Sequence, residues 1–224
     1  MQRKIITTAD GSKTIQIEEW NEQYHSVHGA IQEANHVYIK HGLLFYFNEI
    51  ALNKKQPLSI LEVGFGTGLN ALLTLMNYKK LTGINYVGVE AFPVSKAEIE
   101  QLNYNEQLKI DSQLLTKLHD TGWENSVEIE KGFKLIKQNK RFKNITNFNE
   151  FDIIYFDAFG PRVQPELWTE AMFKTMFEAL KRSGILVTYS AKGSVRRAMQ
   201  SVGFKVERLE GPPGKREMLR ALKP

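Results

Sequence analysis

The sequence predicts an α/β fold organised on an open, mostly parallel sheet, and three observations carry that prediction. From Leu58 onward, apolar β-forming runs alternate with helix-forming segments, the pattern of strands joined by crossover helices. The first of these junctions reads Ile60-Leu61-Glu62-Val63-Gly64-Phe65-Gly66-Thr67-Gly68-Leu69-Asn70: a buried strand, three glycines at alternate positions, and the start of a helix. Glycines at such a turn let backbone and ligand approach closely, and the helix N-terminus offers N–H groups to polar or anionic atoms. Finally, the last two strands flank Gly211-Pro212-Pro213-Gly214-Lys215-Arg216, a loop too short for a crossover helix, so they are antiparallel.

Residues 1–20 read as short strands around the turn Asp10-Gly11-Ser12, with Thr14, Ile15, Ile17 and Trp20 as β-formers. Tyr24-His25-Ser26-Val27-His28-Gly29-Ala30 leads into a helix through Ile31, Ala34, Val37 and Tyr38. Gly42 is expected to interrupt it, with a second helix from about 43 to 52. Residues 1–55 are thus expected to form an extension packed on a core domain of 56–224. In that core, strand one ends at Val63, helix one runs to about 78, and strand two covers 85–90. Helices rich in Leu, Glu, Gln and Lys fill roughly 94–119. Two runs, 127–130 and 133–136, both alternate and read as a hairpin or as paired strands. Strand four is 151–157, and a loop with Gly160, Pro161 and Pro165 precedes a helix at about 168–181. Ser183-Gly184 turns into strand five at 185–190, 193–203 is a short helix, and 204–209 and 217–222 complete a seven-stranded sheet.

A chain of 224 residues suits one such domain with a modest extension. No apolar run approaches the ~20 residues of a membrane span, and the N-terminus lacks an apolar signal core. The absence of cysteine excludes disulfides, Cys-ligated zinc, Cys-held iron–sulfur clusters and a thiol nucleophile, and a cytoplasmic location is the expectation. Thirty Lys and Arg against 25 Asp and Glu leave a net charge of +5, which suits both a polyanionic partner and an ordinary soluble enzyme. His25, His28, His36 and His41 lie close in sequence, but their spacing matches no standard ligand set. Stacking, capping or packing is expected of them rather than metal binding.

The glycine pattern departs from the dinucleotide fingerprint, whose third glycine position is taken here by Leu69. Glu62 lies inside the strand, where a buried acid must accept hydrogen bonds. The loop N–H groups or a cationic amino group could donate them; S-adenosylmethionine carries such an amino group and NAD does not. Glu90 ends strand two, where a carboxylate can accept both ribose hydroxyls. Together Glu62, Gly64, Phe65, Gly66, Thr67, Gly68, Asn70 and Glu90 point to S-adenosylmethionine.

Strand four ends in Asp157-Ala158-Phe159-Gly160-Pro161, which a parallel sheet places beside strand one, facing the cofactor's reactive end. The alternative is that Asp157 caps a helix. Amine methylation fits such a site. An alkyl amine of pKa ~10 is mostly protonated at pH 7, and freeing its lone pair costs about 4 kcal/mol. An Asp of ordinary pKa near ~4 is a weak base. The expected role of Asp157 is to hold the amine by its N–H, align it with the methyl group and stabilise the charge that reaches nitrogen.

These motifs, with Pro165-Glu166-Leu167-Trp168-Thr169, Thr188-Tyr189-Ser190, Val195-Arg196-Arg197, Gly203-Phe204 and Gly214-Lys215-Arg216-Glu217-Met218, resemble the MnmC-like methyltransferase family. Tyr24-His25-Ser26 and His28-Gly29-Ala30 extend the likeness nearly to the start of the chain. The resemblance implies a Rossmann-like class I S-adenosylmethionine-dependent methyltransferase. Its substrate would be the 5-aminomethyl group of (2-thio)uridine at the tRNA wobble position. Some members carry a C-terminal flavin domain that first removes a carboxymethyl group. This chain stops at Pro224 and resembles the standalone form, so no oxidoreductase activity is expected and a separate enzyme would supply the aminomethyl-uridine. By motif, Asp157 takes the place of the family's acid beside the amine, and Gly64, Gly66, Gly68 and Glu90 that of the cofactor site. Two positions depart from the family: Gly160 replaces its usual Ala, and Gln138-Asn139 replaces its usual Gly-Asp near the adenine, where Asn139 could bond adenine N6.

A wobble base must unstack and be held by stacking and edge hydrogen bonds. Phe159, Trp168 and Tyr189 are candidate pocket walls or core aromatics. Arg162, Lys192, Arg196, Arg197, Lys215 and Arg216 lie in loops at the same sheet edge and are expected to form a phosphate-binding rim rather than scattered solvated charges. Two other functions compete: a methyltransferase for a small-molecule amine, and a non-catalytic RNA-binding module.

Overall fold

The structure, a computed structural model, describes residues 2–51, 56–78, 83–111 and 113–224. Its centre is an eight-stranded sheet. From one edge the order is β10 (Lys205–Glu210), β11 (Glu217–Leu222), β9 (Leu180–Thr188), β8 (Phe151–Phe156), β4 (Leu58–Val63), β5 (Ile84–Glu90), β7 (Phe133–Asn139) and β6 (Ser126–Glu130). Strands β4, β5, β7, β8 and β9 pair in parallel, whereas β11 runs antiparallel between β9 and β10. The eighth strand beyond the predicted seven arises because both alternating runs at 126–139 are strands. Only Lys131 and Gly132 separate them, too little for a crossover, so β6 folds back antiparallel on β7 as the sheet edge.

Side chains of the central strands are buried on both faces, as covered parallel sheets require. On β8, Ile153 and Tyr155 join one apolar cluster and Ile154 and Phe156 the other. The first cluster packs against α2 (Leu69–Asn77) and the helical segment of residues 30–50. It also receives α3 (Lys96–Ile99), α4 (Tyr104–Leu108) and α5 (Gln113–Asp120), three short helices in the stretch where helices were expected. The second cluster packs against α6 (Glu170–Ala179) and α7 (Gly193–Ser201).

Gly42 does not interrupt its helix. The segment begins as α1 (Ala30–Ala34) and runs on in wider π-type turns over Asn35–Leu44 and Tyr46–Ile50. A Cβ at Gly42 would stand 3.1 Å from both Tyr155 and Val187, so the glycine lets the helix lie close on the sheet. The predicted helix end at 52 and the boundary at 55 lie outside the described residues. Ser183-Gly184 is likewise no turn between helix and strand: both residues lie within β9, which shifts register against β8 there, and α6 stops at Ala179.

The N-terminal residues form a small antiparallel sheet, β1 (Arg3–Thr7), β2 (Lys13–Ile17) and β3 (Glu22–Gln23). It is tied to the core. Asn103 accepts from Lys13 N–H at 2.8 Å and donates to the Gly11 carbonyl at 3.0 Å, and the Arg3 guanidinium donates to the Phe92 carbonyl at 3.1 Å. Among the described residues no helix is long and apolar enough to cross a membrane.

Candidate active site

The chain leaves β4 toward β5 on one side and returns to β8 on the other. The crevice outside the carboxyl ends of β4, β5 and β8 is therefore the switch point of the sheet, where open α/β folds bind ligands. A cavity of about 530 Å³ lies there, walled by the strand ends and covered by the 20–27 segment of the N-terminal sheet.

The glycine turn is closed on itself. Gly64 and Phe65 donate their N–H groups to the Val89 carbonyl at 3.0 and 3.1 Å, and Gly68 donates to Phe65 at 2.8 Å. Gly66 donates to Glu90 Oε2 at 3.1 Å. Four N–H groups of the turn, those of Gly64, Phe65, Gly66 and Gly68, are thus spent on protein acceptors and are not offered to a ligand. Gly64 has φ +98°, and a Cβ on it would lie 2.6 Å from the Asp157 carbonyl, so its glycine character brings β4 and β8 together at their ends. Thr67 is buried with its hydroxyl 3.1 Å from that of Tyr104, and the Phe65 ring lies over Gly88 and lines the cavity.

Below the turn, five polar side chains form one network. Asn70 Nδ2 donates to Glu62 Oε1 at 2.9 Å and to Asp157 Oδ2 at 2.8 Å. Tyr86 donates to Glu62 Oε2 at 2.8 Å, and Tyr38 donates to Asp157 Oδ1 at 2.6 Å. Glu62 is wholly buried, and its hydrogen bonds come from Asn70 and Tyr86, not from the loop. Burial drives its carboxyl well above the usual range; Asp157 and Glu90 add to the rise, and the Tyr86 and Asn70 hydrogen bonds oppose it. Burial likewise raises Asp157 to about 7, against the Tyr38 and Asn70 bonds that favour its charged form. This overturns the ordinary value assumed from sequence: a carboxyl near 7 is poised to exchange protons at neutral pH. Asp157 caps no helix, since Thr169 is the N-cap of α6.

Glu90 accepts Phe92 N–H at 2.9 Å on one oxygen and Gly66 N–H on the other, and it faces the cavity. Asn139 does not reach it. Its side chain is exposed, its N–H donates to Glu124, and Arg141, Phe142 and Lys143 form the wall on that side. Sequence reasoning missed Phe142; an aromatic between two cations just past β7 was the available signal.

The aromatics separate. Phe159 lines the cavity, edge-on to Tyr24 and Trp20 at ring separations of 4.9 and 5.6 Å. Tyr189 lines it too and donates its hydroxyl to the Ala158 carbonyl at 2.8 Å. Trp168 is no wall: it is buried against Phe156 and Phe173 and braces the loop by donating Nε1–H to the Phe159 carbonyl at 2.8 Å.

The basic loop residues do not form one rim. Arg162 is bound to Glu22 and to the Trp20 and Asn21 carbonyls. Arg162, Lys192, Lys215 and Arg216 line an open cleft adjoining the cavity, whereas Arg196 and Arg197 on α7 line neither. Lys215 also reaches the inner cavity, paired with Glu33, a buried acid that the sequence reading passed over. Its signal was an acid on the apolar stripe Ala30, Ala34, Val37.

His25 is half-buried with Nδ1 2.9 Å from the Thr14 hydroxyl and Nε2 3.5 Å from that of Thr67; desolvation lowers its pKa to about 4, so it joins the N-terminal sheet to the glycine turn as a neutral ring. His36 and His41 pack with their rings tilted by 60° at a centroid separation of 4.7 Å. Among the described residues no three His, Asp or Glu side chains gather as metal ligands.

Asn70 Oδ1 is buried without a hydrogen-bond partner in the structure and lines the cavity with Asp157 and Glu90, so acceptors gather at the strand ends, while Arg3, Arg141, Lys143 and Lys215 also line the cavity. A cationic, hydroxyl-bearing cofactor fits that cluster of acceptors, as S-adenosylmethionine would.

The chain matches, over residues 100–224, the family model described as S-adenosyl-L-methionine-dependent methyltransferase. It is 29% identical over 211 residues to the tRNA 5-methylaminomethyl-2-thiouridine biosynthesis bifunctional protein MnmC of Leptospira interrogans, covering 90% of this chain and 32% of that protein. The protein of that name from Hydrogenovibrio crunogenus is 27% identical, over 89% and 31%. The chain thus spans about a third of the length of these curated relatives. Among solved structures, MnmC2 from Aquifex aeolicus superposes with a TM-score of 0.79 at 28% identity, over 98% of this chain and 69% of that one. Spermidine synthase from Thermotoga maritima, at 14% identity and a TM-score of 0.59 over 99% and 68%, shares the fold. The chain belongs to the S-adenosyl-L-methionine-dependent methyltransferase family, with MnmC-type methyltransferase domains among its relatives.

Proposed function

We propose that this chain methylates the 5-aminomethyl nitrogen of (2-thio)uridine at the wobble position of tRNA, giving 5-methylaminomethyl-(2-thio)uridine. The observation that carries the proposal is Asp157 at the switch point, held by Tyr38 and Asn70 in an aromatic-walled crevice rich in acceptors. The relatives' names supply the substrate. A tRNA substrate places the work in the cytoplasm, and a separate enzyme is expected to provide the aminomethyl-uridine.

Glu90 would hold the cofactor's ribose hydroxyls, Phe65 its apolar surface, and Asn70 Oδ1 with Asp157 its cationic end. Bound there, S-adenosylmethionine supplies a methyl group on an electrophilic sulfonium. Asp157 accepts an N–H of the amine and fixes its lone pair toward that methyl. Losing a proton from an alkyl ammonium of pKa ~10 costs about 4 kcal/mol at pH 7. Against that ammonium a carboxyl raised to about 7 is mismatched by about three pK units, where an ordinary Asp is mismatched by about six. Tyr38 and Asn70 fix the carboxyl so that one oxygen edge faces the amine. Phe159 and Tyr189 stack on or against the unstacked base.

The test is a labelled-methyl assay comparing tRNA that carries aminomethyl-uridine with tRNA that lacks it. Incorporation into the first alone is expected. No incorporation into either overturns the proposal, and equal turnover of the free aminomethyl-nucleoside would favour a small-molecule amine instead.

A further inference from the structure

One primary ammonium already occupies the acceptor end of the crevice: that of Lys215. It pairs with Glu33 Oε1 and stands 4.0 Å from the centroid of the Tyr189 ring. Glu33 is 6% exposed, and its second oxygen accepts Ser26 N–H at 2.8 Å, so its carboxylate is fixed in place. A carboxylate beside an aromatic face is a box for an alkyl ammonium. Tyr189 in turn is anchored to the Ala158 carbonyl, one residue from Asp157.

Resting on the function proposed above, we infer that Glu33 and the face of Tyr189 are the subsite for the substrate's aminomethyl ammonium. Lys215 is a built-in stand-in that the substrate displaces. Three features carry this. The substrate group, a primary alkyl ammonium, has the chemistry of a lysine head group, so what holds one holds the other. Glu33, Tyr189 and Lys215 line the same cavity as Asp157, and Tyr189 is bonded to the residue next to it, so the box opens on the space that holds the group handling the amine's proton. Lys215 also borders both the inner cavity and the open cleft that holds Lys192 and Arg216. It projects from the β10–β11 turn on a flexible four-carbon stem, and rotation of that stem carries the ammonium from Glu33 into the cleft.

The arrangement couples polyanion binding to opening of the amine subsite. A phosphate in the outer cleft attracts Lys215 and frees Glu33, and the displaced lysine finds a new counter-ion. A free nucleoside brings no phosphate. It must compete with a tethered ammonium whose effective concentration is on the order of millimolar. Preference for RNA over nucleoside is thereby placed in a side chain that reads no base.

The experiment measures binding of 5-aminomethyluridine, and of an anticodon-arm RNA carrying it, in the presence of S-adenosylhomocysteine. It uses wild type, Lys215→Met, Glu33→Gln and the double variant. Lys215→Met is expected to bind the nucleoside at least about tenfold tighter while losing affinity for the RNA. Glu33→Gln weakens both, and the double variant loses the gain of Lys215→Met. Affinity for S-adenosylhomocysteine monitors folding; if Lys215→Met loses it, Lys215→Gln is read by the same criteria. A nucleoside bound no tighter after removal of Lys215, or a gain that persists in the double variant, overturns the inference. Failure of the wild type to methylate the RNA overturns the substrate assignment instead, so the two failures are distinguishable.

Discussion

The phenol of Tyr38 donates to Oδ1 of Asp157 at 2.6 Å, joining the N-terminal helical segment to the end of β8. That bond favours the charged carboxylate. Tyr38→Phe should therefore raise the Asp157 pKa above its value near 7. The acid limb of the kcat/KM profile should move upward by about one unit, with activity at pH 7 falling several-fold. A role for Tyr38 in packing alone would lower activity at all pH values equally and leave the limb where it was.

Asp157 makes stability pH-dependent in the direction opposite to most acids. Its carboxyl titrates near 7 when folded and near 3.8 in its ordinary state. Between those values the folded chain binds more protons than the unfolded one, so stability falls as pH rises through that window. Asp157→Asn removes the effect. Its melting temperature relative to wild type should increase from pH 5 to pH 8, while methyl transfer falls by about 10²-fold or more and cofactor binding persists. A constant difference across that range would contradict the raised pKa.

Asn70→Asp places a third carboxylate between Glu62 and Asp157, whose oxygens its amide now bridges. Like charges so close cannot all ionise. Thermal unfolding should show a loss that is large at pH 8 and shrinks as pH falls toward 5, and the activity profile should move to higher pH. Equal destabilisation at both ends would mean that packing, not charge, is what the amide provides.

Gly64→Ala should destabilise the chain by about 2 kcal/mol or more, because the residue combines φ +98° with a backbone carbonyl 2.6 Å from any Cβ. Cofactor affinity should fall with it, as the ends of β4 and β8 separate. Denaturant melts and cofactor titrations measure the two; wild-type stability in this variant would refute the close approach.

The mostly parallel sheet with an antiparallel end was legible because burial on both faces forces continuous apolar runs, and because the six-residue link at 211–216 leaves no room for a crossover. The cofactor end was legible for a similar reason, since Glu62 in an apolar strand demands donors. Which donors it found was not: Asn70 is the second residue of α2 and Tyr86 lies on the neighbouring strand, and only the fold brings them together. Gly42 misled because a glycine required by helix-on-sheet distance looks, in sequence, like one that ends a helix. Lys215 misled in the same way. Charge in a loop suggests solvent, and its partner Glu33 is 182 residues away along the chain.

The cover formed by the first fifty residues gives the catalytic centre a composite ancestry. Tyr38 and Glu33 come from that segment, Asp157 and Glu90 from the ends of β8 and β5, and Asn70 from α2. On the function proposed above, the methyl donor would be recognised by one part of the chain and the acceptor largely by another. A change of acceptor is open to substitution in the leading segment while the sheet is left as it is. Excising that segment would leave not an unselective enzyme but a crevice without its proton-handling geometry.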